Sequence, residues 1–440
     1  MAAADSVLHR VDPLDLSTLP DAVLQRTRQA FGPDATPESA VLQMLRDVRS
    51  DGDSAIRRYA LLLDGAELDS FQIPQHEIDA AWESTPQDLK NALELAAKRI
   101  TEFHRATLPR DWVDLQGGLG ELVRPLERVG LYAPGGTAAY PSTVLMTAIP
   151  ARVAGVREVL LTTPRLGNAP LNPTVLAAAR IAGVDAVFQV GGVPAIGAFA
   201  YGTESIPKVD KICGPGNVFV AHAKRMVQGH VDIDGVFGPT ETVVVADSFA
   251  NPIFCAADLI AQAEHDPMAT AILVTDSESL VRAVESELDA QISTNPRADT
   301  IRHSLKAQGQ VVLVDSFTEA IEVANRLAPE HLCLMVADPW AWAGSVRNAG
   351  GLFLGEYSPE VMGDYIAGPS HVMPTGGTAR FSSALSVHHF VRTMPVVGLS
   401  PEHFRDLGGA AVRIAEAEGL PGHAGAVQAR LDHLAAPRAK

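Results

Sequence analysis

Gln262 and His265 stand three residues apart at the end of the stretch LIAQAEHDP, a spacing that puts an amide oxygen and an imidazole nitrogen on one side of a helix. Asp258, one turn earlier, shares that stripe, whereas Glu264 points elsewhere. Asn251 suits an N-cap and Pro252 the first helical position, while Pro267 disfavours helix at Asp266, so the last turn is expected to hold Gln262 to His265. A helix C-terminus favours a nearby cation. An oxygen and a nitrogen donor suit a metal ion, but they equally suit the wet end of a capped helix, because two ligands do not hold zinc tightly. Further donors would have to come from Asp364, His371, the pair His388 and His389, or His423. Each of these is a residue type that also serves on surfaces or in hydrogen-bonded cores.

A second chemical pair is Glu330 and His331, just before the apolar run LCLMVAD. Imidazole titrates near neutrality, and a neighbouring carboxylate polarises water or raises the basicity of the ring, which is general acid/base chemistry. Consecutive residues in a strand face opposite sides, however. The triplet also recurs as Pro401, Glu402 and His403, where nothing nearby suggests a site, so the motif alone does not separate the copies. Cys213 beside GPGN has the chemistry for a thiohemiacetal with an aldehyde, and a small buried hydrophobe at a strand end is the simpler reading.

The elements that must carry these residues follow from periodicity. From about 38 to 105 apolar residues recur at three and four steps, which predicts a helical N-terminal region. From about 128 short apolar runs end in Gly or Pro and alternate with Ala-rich helical stretches, the pattern of an α/β fold built on parallel sheets. RVGLY, REVLLTT, DAVFQV and KVDKIC form one series; TETVVVAD, ATAILVTD, GQVVLVDS, LCLMVAD and GGLFLG form a second. The tail after about 385 is expected to return to helix.

In the first series the distinctive residues follow strands: Tyr132 with Gly135 and Gly136, Gly191 with Gly192, and Gly214, Pro215 and Gly216 with Asn217. Nucleotides bind at that carboxyl edge, although glycine after a strand is also plain turn chemistry and none of these loops is a complete dinucleotide fingerprint. In the second series Thr240, His265, Glu330 and His331 all precede strands. Parallel strands would bring them to one amino-terminal edge.

Composition narrows the partners. Asp and Glu outnumber Lys and Arg by 52 to 35, a formal charge of −17 that repels nucleic acid and anionic membrane surfaces. No segment has the apolar length to cross a bilayer, and MAAADSVLHR lacks the pattern of a secretion signal. Three scattered cysteines make neither a disulfide framework nor a zinc-finger spacing, which points to a cytoplasmic protein with reduced thiols.

From about residue 30 to 432 the chain resembles the histidinol dehydrogenase family. The likeness is carried by YAPGGTAAYPSTVLMTAIPA, VDKICGPGN, GPTE, QAEHDP, LAPEHL, YSPEVMGDYIAGPSHVMPTGGTARFSS and AEGLPGHAGAV, in that order. The resemblance implies two Rossmann-like parallel-sheet domains: residues 132–240 for NAD, and 27–131 with 241–386 for substrate and zinc. Residues 1–26 would form an N-terminal arm, and 387–440 a helical tail docking on the partner subunit of a homodimer with shared active sites. It implies oxidation of L-histidinol through L-histidinaldehyde to L-histidine with two NAD, the last steps of histidine biosynthesis.

The same resemblance assigns zinc to Gln262, His265, Asp364 and His423, the last from the partner's tail; oxygen and nitrogen donors also admit manganese. His331 becomes the general base of both oxidations and Glu330 the residue that activates water. Thr240, where relatives often have serine, and Glu418 join Gln262, His265, His331, Asp364 and His423 around the substrate. Tyr132 and Asn217 match NAD-contacting positions. Pro194 is a departure: many relatives have GGAQAI where this chain has GGVPAI, and proline supplies neither an amide side chain nor a backbone donor. Two alternatives accompany this reading: a zinc- and NAD-dependent enzyme for another primary amino or sulfonated alcohol, and a non-catalytic NAD- or zinc-binding protein.

Overall fold

The structure, a computed structural model, describes residues 19, 21–135 and 139–436. Most of the expected N-terminal arm 1–26, Gly136 and residues 437–440 lie outside the described residues. Two compact units make up the chain: one joins residues up to Thr107 with Leu126–Phe390, the other joins Leu108–Pro125 with Val391–Lys440.

From Asp21 onward the first elements are helices, among them Pro37–Asp51 and Gln87–Ala106, as the three-and-four periodicity requires. A reciprocal Thr36–Ser39 capping box starts the first of these. Then β1 (Trp112–Asp114) and β2 (Leu119–Pro125) pair antiparallel, a hairpin missing from the sequence-based expectation.

Strands β3 (Arg128–Tyr132), β4 (Glu158–Thr162), β5 (Ala186–Phe188), β6 (Lys211–Cys213) and β7 (Asp232–Ile233) make a parallel sheet in the order β5-β4-β3-β6-β7. Strands β8 (Glu241–Ala246), β9 (Thr270–Thr275), β10 (Gln310–Leu313), β11 (His331–Met335) and β12 (Gly351–Leu354) make a second in the order β10-β9-β8-β11-β12. Both orders begin at the centre, run outward, return and continue on the other side, the doubly wound arrangement. β13 (Val391–Val397) pairs antiparallel with β2. The tail expected to be helical therefore carries the short 3-10 turn Val387–Phe390 and this strand before its helices Pro401–Ala417 and Pro421–Ala435.

The central strands β8, β9 and β11 of the second sheet are buried on both faces, as their continuous apolar runs demand, while the edge strands β10 and β12 are partly exposed. Val243, Val245, Leu332 and Leu334 pack on the side of the helix Phe317–Leu327. Val244, Ala246, Cys333 and Met335 pack on the side of the helix Pro252–Ala263. Each of these valines and leucines gains roughly 1.5–3 kcal/mol by leaving water. The alternation also fixes where the edge residues point: Thr242 and His331 carry the parity of the second set, so both face the helix that contains Gln262.

Candidate active site

The amino-terminal edge of the second sheet gathers the polar residues. His331 is the first residue of β11 and lies in register with Thr242 of β8. Glu330 immediately precedes the strand and is free of its alternation. Its Oε2 comes within 3.9 Å of His331 Nδ1, so the opposite facing of consecutive strand residues does not apply to this pair. The second Pro-Glu-His copy has another geometry altogether. His403 is in the first turn of a helix, where its backbone N–H is capped by Ser400.

Gln262 is the penultimate residue of the helix Pro252–Ala263, started by Asn251, whose side chain accepts from the Ile253 N–H. The helix closes at Ala263 rather than running to His265. His265 sits just past its end and is exposed. Its Nδ1 lies 3.0 Å from the Ala261 carbonyl oxygen. A carbonyl only accepts, so Nδ1 is the donor; a neutral ring held this way presents its lone pair on Nε2, the tautomer of a metal-ligating imidazole.

Hydroxyls organise the carboxylates. Thr240 Oγ1 donates to Glu330 Oε2 at 2.6 Å and the Glu241 backbone N–H donates to the same oxygen at 3.0 Å. Thr242 Oγ1 donates to Glu360 Oε2, and it stands 3.4 Å from His331 Nδ1 and 3.0 Å from Gln262 Oε1. Each hydroxyl has one proton, and each gives it to a carboxyl group. Gln262 Nε2 is buried without a partner. A half-turn of that amide lets its NH2 donate to the threonine oxygens and places its carbonyl oxygen where the nitrogen was unpaired, which is the orientation a cation requires.

Asp364, on the helix Glu360–Tyr365, places Oδ1 3.8 Å from His331 Nε2, a buried nitrogen without a hydrogen-bond partner. Burial pushes the Glu330 carboxyl up to about 8 against the two hydrogen bonds it accepts. Burial pushes His331 down to about 4, with Asp364 pulling the other way, so the ring is neutral at pH 7. Burial also raises Glu360 well above the carboxylate range.

His371 is not available as a ligand. Its Nδ1 is 2.9 Å from the Asp364 carbonyl oxygen and its Nε2 is 3.2 Å from Thr143 Oγ1, so both nitrogens are engaged. His389 lies at the first sheet, where its carbonyl accepts from Lys211. Asp258 is buried, with Oδ2 unpartnered and its carboxyl raised to about 6 by burial. Glu418 and His423 belong to the other unit, at the end of the helix Pro401–Ala417 and in the first turn of Pro421–Ala435, and both are exposed. Among the described residues no group of three or more His, Cys, Asp or Glu could by itself hold a metal ion.

Tyr132 ends β3, buried, and its hydroxyl accepts from the Gly192 N–H at 3.2 Å. Asn217 caps the helix Val218–Val227 through the Val220 N–H and is itself exposed. Gly214 has φ +115°, and a Cβ there would run into the Tyr132 carbonyl oxygen. Pro194 occupies the first turn of the helix Gly192–Tyr201, where an N–H has no intrahelical partner, so the proline costs that helix nothing. Beside these loops a cavity of about 250 Å³ is lined by Pro134, Gly135, Thr163, Pro164 and Asn172. Cys213 is fully buried, and burial followed by the charge of Asp234 raises its thiol well above the usual value, which removes it as a nucleophile.

Two site residues escape the motif reading, Thr242 and Glu360. Thr242 follows Thr240 by two positions, and Glu360 precedes Asp364 by one helical turn, so both spacings were available as signals.

The family model for histidinol dehydrogenase matches residues 27–431. The histidinol dehydrogenase of Dehalococcoides mccartyi strain CBDB1 is 49% identical over 93% of this chain and 94% of its own length. That of Deinococcus radiodurans is 49% identical over 94% of this chain and 95% of its own. The crystal structure of histidinol dehydrogenase from Elizabethkingia anophelis superposes with a TM-score of 0.89 at 35% identity, covering 91% of this chain and 94% of that one.

Proposed function

The chain belongs to the histidinol dehydrogenase family of NAD-dependent oxidoreductases, and from that premise we propose that it oxidises L-histidinol through L-histidinaldehyde to L-histidine, using two NAD in succession. The observation that carries this reading is the convergence of Thr240, Gln262, Glu330, His331 and Asp364 on one sheet edge, with the base held neutral.

His331 Nε2 is the base. It takes the proton of the substrate hydroxyl in the first oxidation and of the hydrated aldehyde in the second, and the neutral ring facing Asp364 supports that assignment. Glu330 activates the water that adds to the aldehyde. Two donors hold its Oε2, which leaves Oε1 for the water. NAD, when bound, accepts the hydride of each oxidation.

Gln262, His265 and Asp364 suit a zinc or manganese ion through the free Nε2 of His265, the turned amide of Gln262 and the Asp364 carboxylate, with His423 of the partner subunit as the fourth donor. An ion held by these residues would supply an anchor for nitrogen donors of the substrate, leaving its carbinol positioned before His331. Thr240 and Glu418 complete the substrate contacts, Glu418 again from the partner of a homodimer. Residues 132–240 serve NAD through Tyr132 and Asn217, residues 27–131 with 241–386 serve substrate and metal, and 387–440 dock on the partner. Pro194 leaves NAD without the amide that many relatives carry.

The test is direct. With zinc present, NAD and L-histidinol should yield reduced cofactor at two equivalents per substrate; failure with histidinol but turnover of another primary alcohol overturns the substrate assignment.

A further inference from the structure

His331 Nδ1 is surrounded by oxygens: Thr242 Oγ1 at 3.4 Å, Glu360 Oε2 at 3.7 Å and Glu330 Oε2 at 3.9 Å. Glu330 Oε2 already accepts two hydrogen bonds, from Thr240 and from the Glu241 N–H. Glu360 is 1% exposed and is reached by the Thr242 hydroxyl. A carboxyl group in such a place needs a reason. Packing does not supply one, because a leucine would fill the same volume without the cost of burying a polar group.

We propose that Glu360 is the positioning residue for the catalytic base: by accepting the Thr242 hydroxyl proton it turns Thr242 Oγ1 into an acceptor for His331 Nδ1, fixing the tautomer with the proton on Nδ1 and the lone pair on Nε2. The inference rests on the reading of His331 as the base.

Thr242 has a single hydroxyl proton to give. With that proton on Glu360 Oε2, the hydroxyl oxygen faces the ring as an acceptor, so Nδ1 must carry the hydrogen. Burial favours a protonated Glu360, and a proton placed on Oε1 leaves Oε2 accepting as before. If the Thr242 proton were directed at Nδ1 instead, the ring would carry its hydrogen on Nε2, the nitrogen that faces Asp364, and would have no lone pair there for a substrate hydroxyl. The carboxyl acts through the hydroxyl and never touches substrate. Outer partners of this kind are worth about 10–100-fold when removed.

The experiment uses the full chain labelled with 15N-histidine, with the His331 ring signals identified by their loss in His331→Asn. In the wild type Nδ1 should give the shift of a protonated nitrogen and Nε2 that of a free one. Glu360→Leu takes away the acceptor of the Thr242 proton and frees that hydroxyl to donate to Nδ1; the ring signals should exchange, and kcat should fall about 10–100-fold with the KM for histidinol changed less than about twofold. Thr242→Val should lose activity similarly and Thr242→Ser recover most of it. In the His331→Asn background Glu360→Leu should add no further loss.

A wild-type ring protonated on Nε2, or unchanged ring signals in Glu360→Leu, overturns the proposal, as does a further loss in the double variant. Full turnover by His331→Asn would instead sink the assignment of the base. Exchange of the ring signals would then still establish what Glu360 does to the imidazole.

Discussion

The Thr240 hydroxyl donates to Glu330 Oε2 at 2.6 Å, and the next backbone N–H, from Glu241, donates to the same oxygen. One oxygen of the glutamate is thereby committed, and the other is left for chemistry. Burial at the strand edge raises this carboxyl to about 8, bringing its affinity for protons into the range a base needs near neutrality.

Glu330→Gln should therefore impair the aldehyde step selectively. The hydration-dependent oxidation is expected to slow by ~10²–10⁴-fold while histidinol is still converted to the aldehyde. Single-turnover reactions started from histidinol and from histidinaldehyde separate the two. Equal loss in both would remove the division of labour between Glu330 and His331.

Metal removal should abolish turnover. After dialysis against a chelator, added zinc or manganese should restore it, because oxygen and nitrogen donors accept either ion. His265→Asn and Gln262→Leu should each purify with much less metal by atomic emission than the wild type. Undiminished turnover in a protein shown to be metal-free would contradict the assignment of these donors.

A shared site predicts complementation. Co-expressed His423→Ala and His331→Asn chains, each inactive alone, should recover about a quarter of wild-type activity, since half of randomly paired dimers are mixed and each mixed dimer has one intact site. Verified mixed dimers without activity would show that the tail does not reach a partner's site.

His104 gives a pH dependence of stability that is separate from catalysis. Its ring is fully buried, both nitrogens lack partners, and burial pushes it down to about 4. The unfolded chain binds the proton near 6.5 and the folded chain only near 4, so stability is full above about 6.5 and falls by up to roughly 3 kcal/mol as the pH drops from 6.5 to 4. Replacing His104 with Leu should flatten that slope and, by removing unpaired buried nitrogens, stabilise the fold by ~1–3 kcal/mol at neutral pH. Denaturant midpoints from pH 4.5 to 7.5 for the two proteins decide it; parallel curves would show that this ring is not the titrating group.

Much of the fold is legible in local patterns. The alternation of short apolar runs with Ala-rich helices marks both parallel sheets, because strands buried on both faces must be continuously apolar. The hairpin β1–β2 and the strand β13 leave no such mark. Their residues are largely exposed, and β13 finds its partner β2 more than 250 positions away. Periodicity does not encode a partner at that distance. The end of the Gln262 helix was also misplaced by two residues: Pro267 rules out helix at the residue before it, but the chain turns earlier, at Glu264.

By itself, the sequence determined the family and most strands of the two parallel sheets, and it named Gln262, His265, Glu330, His331 and Asp364 as candidates, because residue type and spacing fix which groups are available. What only the tertiary structure decided is their protonation and polarity. The neutrality of His331 comes from burial, the raised carboxyl of Glu330 from the same cause, and the direction of the Thr242 hydroxyl from Glu360, which lies 118 residues away in the chain. The physical reason is that a lone pair or a proton is placed by its neighbours in space.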